Sequence, residues 1–445
     1  MGLDIVQFRA EKGGNVNEII ESQKARGKSP DTVQAVINAD KAHRETRYKL
    51  DQANAEHGKI SKSVAMKKKA NESIDDLLKE AEKLDVTIQQ LKKEVVESEH
   101  NLQKVLKPIG NIVHKSVVVS DNEDNNQITK TWGECKPLGE GLHHHELLEM
   151  IDGYDAERGS NVSGHRCYFL KGVGVLLNQA IINFALSTLY KKGFTPLQTP
   201  YFMRKDVMAE TAQLEQFDEE LYKVSGQTDQ ANEDNEKYLI ATSEQPISAF
   251  HRGEWLEEKQ LPLKYLGYST CFRKEAGSSG KDTWGIFRVH QFEKIEQFCI
   301  TEPEKSWDMH EEMLANAEAF YQELGLPYRV VSIVSGALNN AAAKKYDLEG
   351  WFPGYGTYRE LVSCSNCTDY QSRDLEIRCG TKKAGQTQKK YVHMLNSTLA
   401  ATTRVICCIL ENYQTDKGIN VPKALVPYLG MDFLPFVKPK PKPKK

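Results

Sequence analysis

Between Ile74 and Leu106 apolar residues return at spacings of four and three: Leu77, Ala81, Leu84, Ile88, Leu91 and Val95, resuming at Leu102 and Val105. Flanked by charged residues, that alternation is the pattern of a coiled-coil seam. So narrow a stripe needs a partner helix, and one lies just upstream. Ser29-Pro30-Asp31 reads as a helix start, with Ser as N-cap, Pro in the first turn and Asp favoured by the helix dipole. From there to about Met66 the chain has no proline and one glycine, Gly58, and Leu50, Ala53, His57, Ile60 and Val64 recur at three-four spacing. The two stretches are expected to fold back as an antiparallel pair. Roughly 30 residues per helix gives an arm of about 45 to 50 Å. Its tip gathers Lys59, Lys62, Lys67, Lys68 and Lys69, which is either a contact for a phosphate backbone or a solvated turn. In the first half of the upstream helix Asp40, Arg44 and Arg47 fall near the seam, so its packing there is not specified.

A chain of 445 residues with 39% hydrophobic content has room for two or three domains. A formal net charge of −3 gives no global attraction to nucleic acid, so any such site must be a local patch. Scattered cysteines and no secretory segment fit a reducing, cytoplasmic setting, and Val6 breaks the myristoylation pattern after Gly2. The apolar run Gly172 to Tyr190 is interrupted by Asn178, Gln179 and Asn183, which predicts a buried helix rather than a membrane span. Leu142 to Met150 reads as a connection between arm and core; consecutive His143, His144 and His145 point in different directions and would not share a metal. Leu176 to Lys191 is amphipathic, Gly193 stops that helix, and Phe194 to Phe202 reads as one strand with Pro200 late in it.

The richest segment is Cys271 to Phe298, CFRKEAGSSGKDTWGIFRVHQFEKIEQF. Its flanks alternate like strands, and Glu275 to Trp284 reads as a loop. Period-two counting puts Arg288, Phe292 and Glu296 on one face of the second strand and Arg273 with Glu275 on one face of the first. Such a face suits a nucleotide held by arginine forks, a base stacked on Phe292, and an amine or hydroxyl held by Glu296. The plain alternative is a solvated strand with a ladder of salt bridges.

This segment resembles motif 2 of class II aminoacyl-tRNA synthetases in the form carried by the seryl-tRNA synthetases, eukaryotic cytosolic type: F-R-x-E, a G-S-x-G-K-D loop, then F-R-V-H-Q-F-E-K-x-E. The helix-strand pair at 176–202 resembles motif 1, which builds a dimer interface in that family, and Tyr391 to Tyr413 resembles motif 3. In the last stretch Tyr391 to Leu395 is expected as a strand, Asn396-Ser397-Thr398 as a turn and Leu399 to Tyr413 as a helix. Leu239 to Pro246, LIATSEQP, is similar to the loop that covers the amino-acid pocket, and the Gln/Asn-rich stretch 226–237 looks like a eukaryotic-type insertion. The arm is similar to the coiled coil that embraces the long variable arm of tRNA(Ser) in the family, reading RNA shape and phosphates.

The resemblance covers nearly the whole chain. It implies an α+β fold, with an antiparallel-sheet catalytic domain flanked by helices and an N-terminal antiparallel coiled-coil arm, assembled as a homodimer. The expected boundaries are 1–110 for the tRNA-binding domain, 111–435 for the catalytic domain with a linker at 111–165, and 436–445 for an extended Lys/Pro tail. It also implies ATP-dependent attachment of L-serine to tRNA(Ser) through a seryl-adenylate, and use of selenocysteine tRNA where one exists. Arg273, Glu275, Arg288 and Arg404 would be the catalytic groups. ATP would be bound by these with Lys274, Val289, His290, Gln291, Phe292, Glu360, Leu361, Val362 and Ser363, with Arg404 stacking on adenine opposite Phe292. Serine would be held by Thr242, Glu244, Arg273, Glu296, Asn396 and Thr398, and magnesium by Glu360 and Ser363, a carboxylate and a hydroxyl of the hard kind that ion takes. Cys364-x-x-Cys367 with Cys379 lacks a second pair, so no zinc is expected. Two other readings stay in view: an amino-acid ligase that loads a carrier protein, whose relatives lack the long arm, and a non-catalytic RNA-binding paralogue.

Overall fold

The computed structural model describes residues 2–137, 141–211, 220–224, 236–275, 280–380 and 390–440. Most of the insertion at 226–237, the loop residues 276–279 and the last five residues of the Lys/Pro tail lie outside the described residues. The chain divides into two compact units, Gly2–Ile112 and Val113–Lys445.

In the first unit a short helix α1 (Val16–Ala25) precedes α2 (Asp31–Lys69) and α3 (Asp75–Leu106). Ser29 Oγ accepts the Asp31 N–H at 3.2 Å, but Pro30 takes the N-cap position expected for the serine. At 39 residues α2 outruns the expected length and is roughly 58 Å long. His43 Nδ1 lies 3.1 Å from Ser98 Oγ and His57 Nε2 3.2 Å from Asp85 Oδ1. Partner numbers that fall as the first rises make the pair antiparallel. Every residue of the expected α3 seam is buried or half-buried, and Ser98 fills the seam position that the apolar pattern skipped. The unspecified first half of α2 also resolves: Asp40 is buried and accepts from Arg9 Nε at 2.9 Å and Nη2 at 2.6 Å and from Arg44 Nε at 3.0 Å. These donors hold its carboxyl below the ordinary carboxylate range against the opposing effect of burial. Lys59, Lys62, Lys67, Lys68 and Lys69 are all exposed, and the last three form the final turn of α2, where the helix dipole favours positive charge.

The second unit is built on an eight-stranded sheet. In chain order its strands are β1 (Gln127–Trp132), β2 (Thr195–Gln198), β3 (Leu263–Phe272), β4 (Gln291–Thr301), β5 (Tyr328–Ser332), β6 (Lys344–Phe352), β7 (Thr357–Asn366) and β8 (His393–Ala401). They lie in the order β1-β5-β6-β7-β8-β4-β3-β2. All neighbours are antiparallel except β2 and β3. Helices α4 (His144–Met150), α5 (Val173–Lys191), α6 (Glu244–Ser248), α7 (Ser306–Glu323), α8 (Tyr370–Asp374) and α9 (Thr402–Tyr413) complete the frame used below. The main core joins α5, α7 and α9 to the sheet, through Leu177, Ile181, Phe320, Tyr321, Ile406 and Leu410 among others.

Three local expectations are corrected. The single strand expected over 194–202 breaks at Thr199-Pro200: β2 stops at Gln198 and Phe202–Arg204 joins a separate three-stranded sheet. Proline has no N–H to give a ladder, so the chain changes sheets there. The turn expected at Asn396-Ser397-Thr398 is the middle of β8, and the helix starts at Thr402. Pairing with β4 on one side and β7 on the other overrides the local turn preference of Asn and Ser. The segment read as a connection, 142–150, contributes fully buried Leu147, Leu148 and His144 to the core. Helix α5 has the length and apolarity of a membrane span, and half of its most apolar stretch is buried in this unit.

Candidate active site

Alternation along β4 decides what faces the cavity. Phe292, Lys294 and Glu296 line it, while Ile295, Gln297 and Cys299 point the other way and are fully buried. On that reverse face Gln297 Nε2 donates to the Met313 carbonyl of α7 at 2.9 Å. The strand begins only at Gln291, so Arg288 does not reach the cavity by period-two counting as expected. It arrives from the bend ahead of β4, and Phe287 and Val289 line the cavity beside it. Likewise β3 ends at Phe272, beyond which Arg273 and Glu275 are irregular. Glu275 has a positive φ of 50° and its carboxylate lies 3.6 Å from Arg288 Nη1. Arg273 is oriented by its Nε–H to the Ala241 carbonyl at 3.2 Å and stands over the Phe292 ring at 5.3 Å.

Two bulges bring further groups to the same face. Opposite Leu348-Glu349 the register of β7 skips Leu361, and opposite Ile295-Glu296 that of β8 skips Leu399. An extra residue flips the alternation, so Glu360 and Ser363 face one way across three positions, as do Thr398 and Ala401. The result is a cavity of about 270 Å³.

At one end sits a carboxylate cluster. Glu296 is buried, with Oε1 accepting from Lys294 Nζ at 3.0 Å. Its Oε2 accepts from the Thr242 hydroxyl, from Ser243 Oγ at 3.1 Å and from the Glu244 N–H at 3.3 Å. Burial would raise its pKa, but Lys294 and the hydroxyl donors prevail and lower it. Glu244 is the opposite case: burial and the neighbouring Glu296 charge push it up to about 7. Its Oε1 accepts from Gln371 Nε2 on α8 at 2.9 Å and from Asn396 Nδ2 at 3.1 Å. Thr398 stands directly across the ladder from Glu296. The cluster offers one carboxylate whose pKa is lowered, one raised to about 7, and hydroxyl and amide groups, a set matched to a small zwitterion with a polar side chain.

The other end is cationic and aromatic. Arg404 donates from Nη1 to the Glu360 carbonyl at 2.9 Å, lies 3.7 Å from its carboxylate, and rests 4.9 Å above the Phe287 ring. Its partners are thus both anionic and aromatic. Arg404, Lys345, Arg273 and Lys294 together lower the pKa of Glu360, an exposed residue on the cavity wall. Three guanidiniums around one cavity, with aromatic faces between them, fit a nucleotide with several phosphates.

Of the expected site residues, Lys274, His290, Gln291 and Val362 do not line the cavity. His290 Nδ1 donates to the Arg273 carbonyl at 2.9 Å, and Val362 is fully buried on the core face of β7. Lys294, Phe287, Thr403 and Gly267 were not singled out in the sequence. For Lys294 a signal existed, because it shares the face of Phe292 and Glu296. Gly267 pairs with Glu296 across β3–β4, and a Cβ there would lie 2.5 Å from Ser243 Oγ, so glycine is what lets the 242–244 loop approach. Cys364, Cys367 and Cys379 are buried in the core, and Cys367 Sγ accepts from Asn396 Nδ2 at 3.6 Å.

Comparison with known proteins places these features together. Residues 3–113 match the seryl-tRNA synthetase N-terminal domain and residues 222–413 the class II tRNA synthetase core domain of the G, H, P, S and T enzymes. The cytoplasmic serine–tRNA ligase of Dictyostelium discoideum is 74% identical over 100% of this chain and 97% of its own length. That of Saccharomyces cerevisiae is 55% identical over 99% and 97%. Among solved structures, the cytoplasmic serine–tRNA ligase of Naegleria fowleri in complex with AMP is 51% identical, with a TM-score of 0.86 over 98% of this chain and 100% of that one. The seryl-tRNA synthetase of Pyrococcus horikoshii complexed with ATP is 38% identical, with a TM-score of 0.88 over 98% and 100%.

Proposed function

The chain belongs to the seryl-tRNA synthetases of class II, and from that premise we propose which residues do the chemistry. The reaction is ATP-dependent attachment of L-serine to tRNA(Ser) through a seryl-adenylate, with release of pyrophosphate and AMP. Like its relatives named cytoplasmic, the chain acts in the cytoplasm.

The observation that carries the assignment is the polarity of the cavity: a braced carboxylate at one end, two guanidiniums around the other, and a third between them. Glu296, Thr242 and Glu244 receive the serine ammonium, and Asn396 and Thr398 address the side-chain hydroxyl. Alanine would leave those buried groups unpaired, a costly mismatch, whereas threonine is excluded by shape. Arg273 lies between the two ends and bridges the serine carboxylate and the α-phosphate. Arg288 and Arg404 hold the remaining phosphates and Phe292 carries the base. The carboxylate is already anionic near neutral pH and attacks the α-phosphorus without a general base, expelling pyrophosphate. The rate then comes from positioning and charge neutralisation. Glu360 and Ser363, hard oxygen donors on one face of the cavity, fit magnesium, which when bound would offset phosphate charge. In the second step the terminal 3′-hydroxyl of tRNA attacks the carbonyl and AMP leaves.

We assign residues 1–110 to tRNA binding, with the exposed lysines of the arm on the phosphates of the long variable arm, and 111–435 to catalysis. Tyr190, Leu176 and Val175 on α5 are exposed apolar residues, which supports a homodimer through that helix; selenocysteine tRNA is a second substrate where it occurs. Pyrophosphate exchange with each amino acid, repeated on tRNA charging with residues 31–106 deleted, tests the reading. Serine alone should support exchange, and the deletion should keep exchange and lose charging. Charging that survives the deletion would refute the role of the arm. Exchange without any charging by the full chain would favour a carrier-loading ligase, and neither activity a non-catalytic paralogue.

A further inference from the structure

Behind the nucleotide end of the cavity, and outside its lining, lies a buried ion pair that the reaction does not touch. His144 and Glu411 are both shielded from solvent. His144 Nδ1 is 3.0 Å from Glu411 Oε1, and its Nε2 is 3.1 Å from the Trp284 carbonyl. A carboxylate and a carbonyl are both acceptors, so only an imidazolium, with two N–H donors, satisfies both contacts. The His144 N–H also donates to Glu411 Oε1 at 3.1 Å, and the Gly354 N–H to Glu411 Oε2 at 2.7 Å. One pair therefore ties together α4, α9, the turn between β6 and β7, and the end of the loop between β3 and β4.

Two glycines are fitted against it. Gly285 has a φ of +58°, and a Cβ there would lie 2.8 Å from His145 Cβ and 2.9 Å from His144 Cδ2. A Cβ at Gly354 would lie 2.7 Å from Glu411 Oε2. The chain thus reverses in contact with the imidazole, and the next residues enter the site. Ile286 and Phe287 are buried. The Phe287 ring supports the guanidinium of Arg404 at 4.9 Å and that of Arg359 at 5.2 Å. Arg288 follows in the cavity lining.

We propose that His144, held as an imidazolium by Glu411, is a positioning residue for the nucleotide half of the site: it fixes the Trp284–Gly285 root and thereby the Phe287 platform under Arg404. The inference rests on the assignment of Arg288 and Arg404 to ATP. The groups facing the ring are Glu411 and Cys407 from α9, His143 and His145 beside it, and stacked Tyr355. Burial alone would lower the His144 pKa, but Cys407 and Glu411 reverse this and bring it to about 10.

The test is His144→Gln and Glu411→Gln in the full chain, with Arg404→Ala as control, measured by pyrophosphate exchange. His144→Gln and Glu411→Gln should each raise KM for ATP roughly tenfold, about one pKa-unit equivalent of interaction energy, with KM for serine nearly unchanged. Parallel rises in both constants, or a lowered melting temperature with both constants intact, would overturn the proposal. If Arg404→Ala leaves KM for ATP unchanged, the nucleotide assignment itself fails, which separates the two ideas. Where a variant fails to fold, histidine-15N spectra of the unmodified protein decide. A doubly protonated ring that persists at pH 8.5 and contacts Glu411 supports the proposal, and its absence refutes it.

Discussion

Replacing Glu296 by glutamine keeps shape and removes one charge. The carboxylate is 2% exposed and accepts from Lys294 Nζ at 3.0 Å and Ser243 Oγ at 3.1 Å. Glutamine has one acceptor oxygen, so its NH2 group must face either the Lys294 ammonium or the hydroxyl donors. A hydrogen bond between serine's ammonium and a buried charged partner contributes about 1.5–3 kcal/mol. Lys294, no longer neutralised, then repels the incoming ammonium, and at an effective dielectric near 20 such terms reach a few kcal/mol. A combined loss of about 3–4 kcal/mol corresponds to a rise of two to three orders of magnitude in KM for serine. KM for ATP should move by no more than about threefold, because the arginine forks that bind phosphate are untouched. ATP–pyrophosphate exchange with each substrate varied in turn measures both, and melting curves control for damage from the unpaired lysine. Equal changes in the two constants would refute the placement of serine at Glu296, and so would the same result with Glu296→Ala.

Further outcomes follow from the same geometry. Glu244, raised to about 7, holds its proton between its ordinary range and neutrality, so folding stability from this group falls as pH rises through that window. Serine's ammonium favours the ionised form, so KM for serine should fall as pH rises from about 6 to about 8, and Glu244→Gln should flatten that profile. Gly267→Ala pushes a methyl against Ser243 Oγ; an overpacking cost of about 1–3 kcal/mol should appear as a raised KM for serine with KM for ATP preserved. Alanine at Lys67, Lys68 and Lys69 should raise KM for tRNA and reduce the salt dependence of charging by about one counterion for each lysine–phosphate pair removed, with exchange rates unchanged.

What could be read from the sequence was whatever depends on local periodicity or on a chemically dense motif. The α3 seam was visible because Leu77 through Val105 are withdrawn from solvent at helical spacing, and Glu296 and Phe292 because they share a strand face. What could not be read depends on pairing. Asn396 to Thr398 look like a turn until β4 and β7 hold them flat. The bulges at Leu361 and Leu399, which turn Glu360 and Thr398 into the cavity, leave no mark in composition. Asp40 looked misplaced in a seam because its partner Arg9 lies 31 residues away. His144 was read as part of a connection because Glu411 and Trp284 reach it only in the folded chain.

Soaking crystals with a non-hydrolysable seryl-adenylate mimic would locate the substrate directly. The mimic should lie with its ammonium against Glu296 and Thr242, its phosphate on Arg273 and its adenine on Phe292. Electron density for the mimic elsewhere, or a vacant cavity at saturating concentration, would contradict the account.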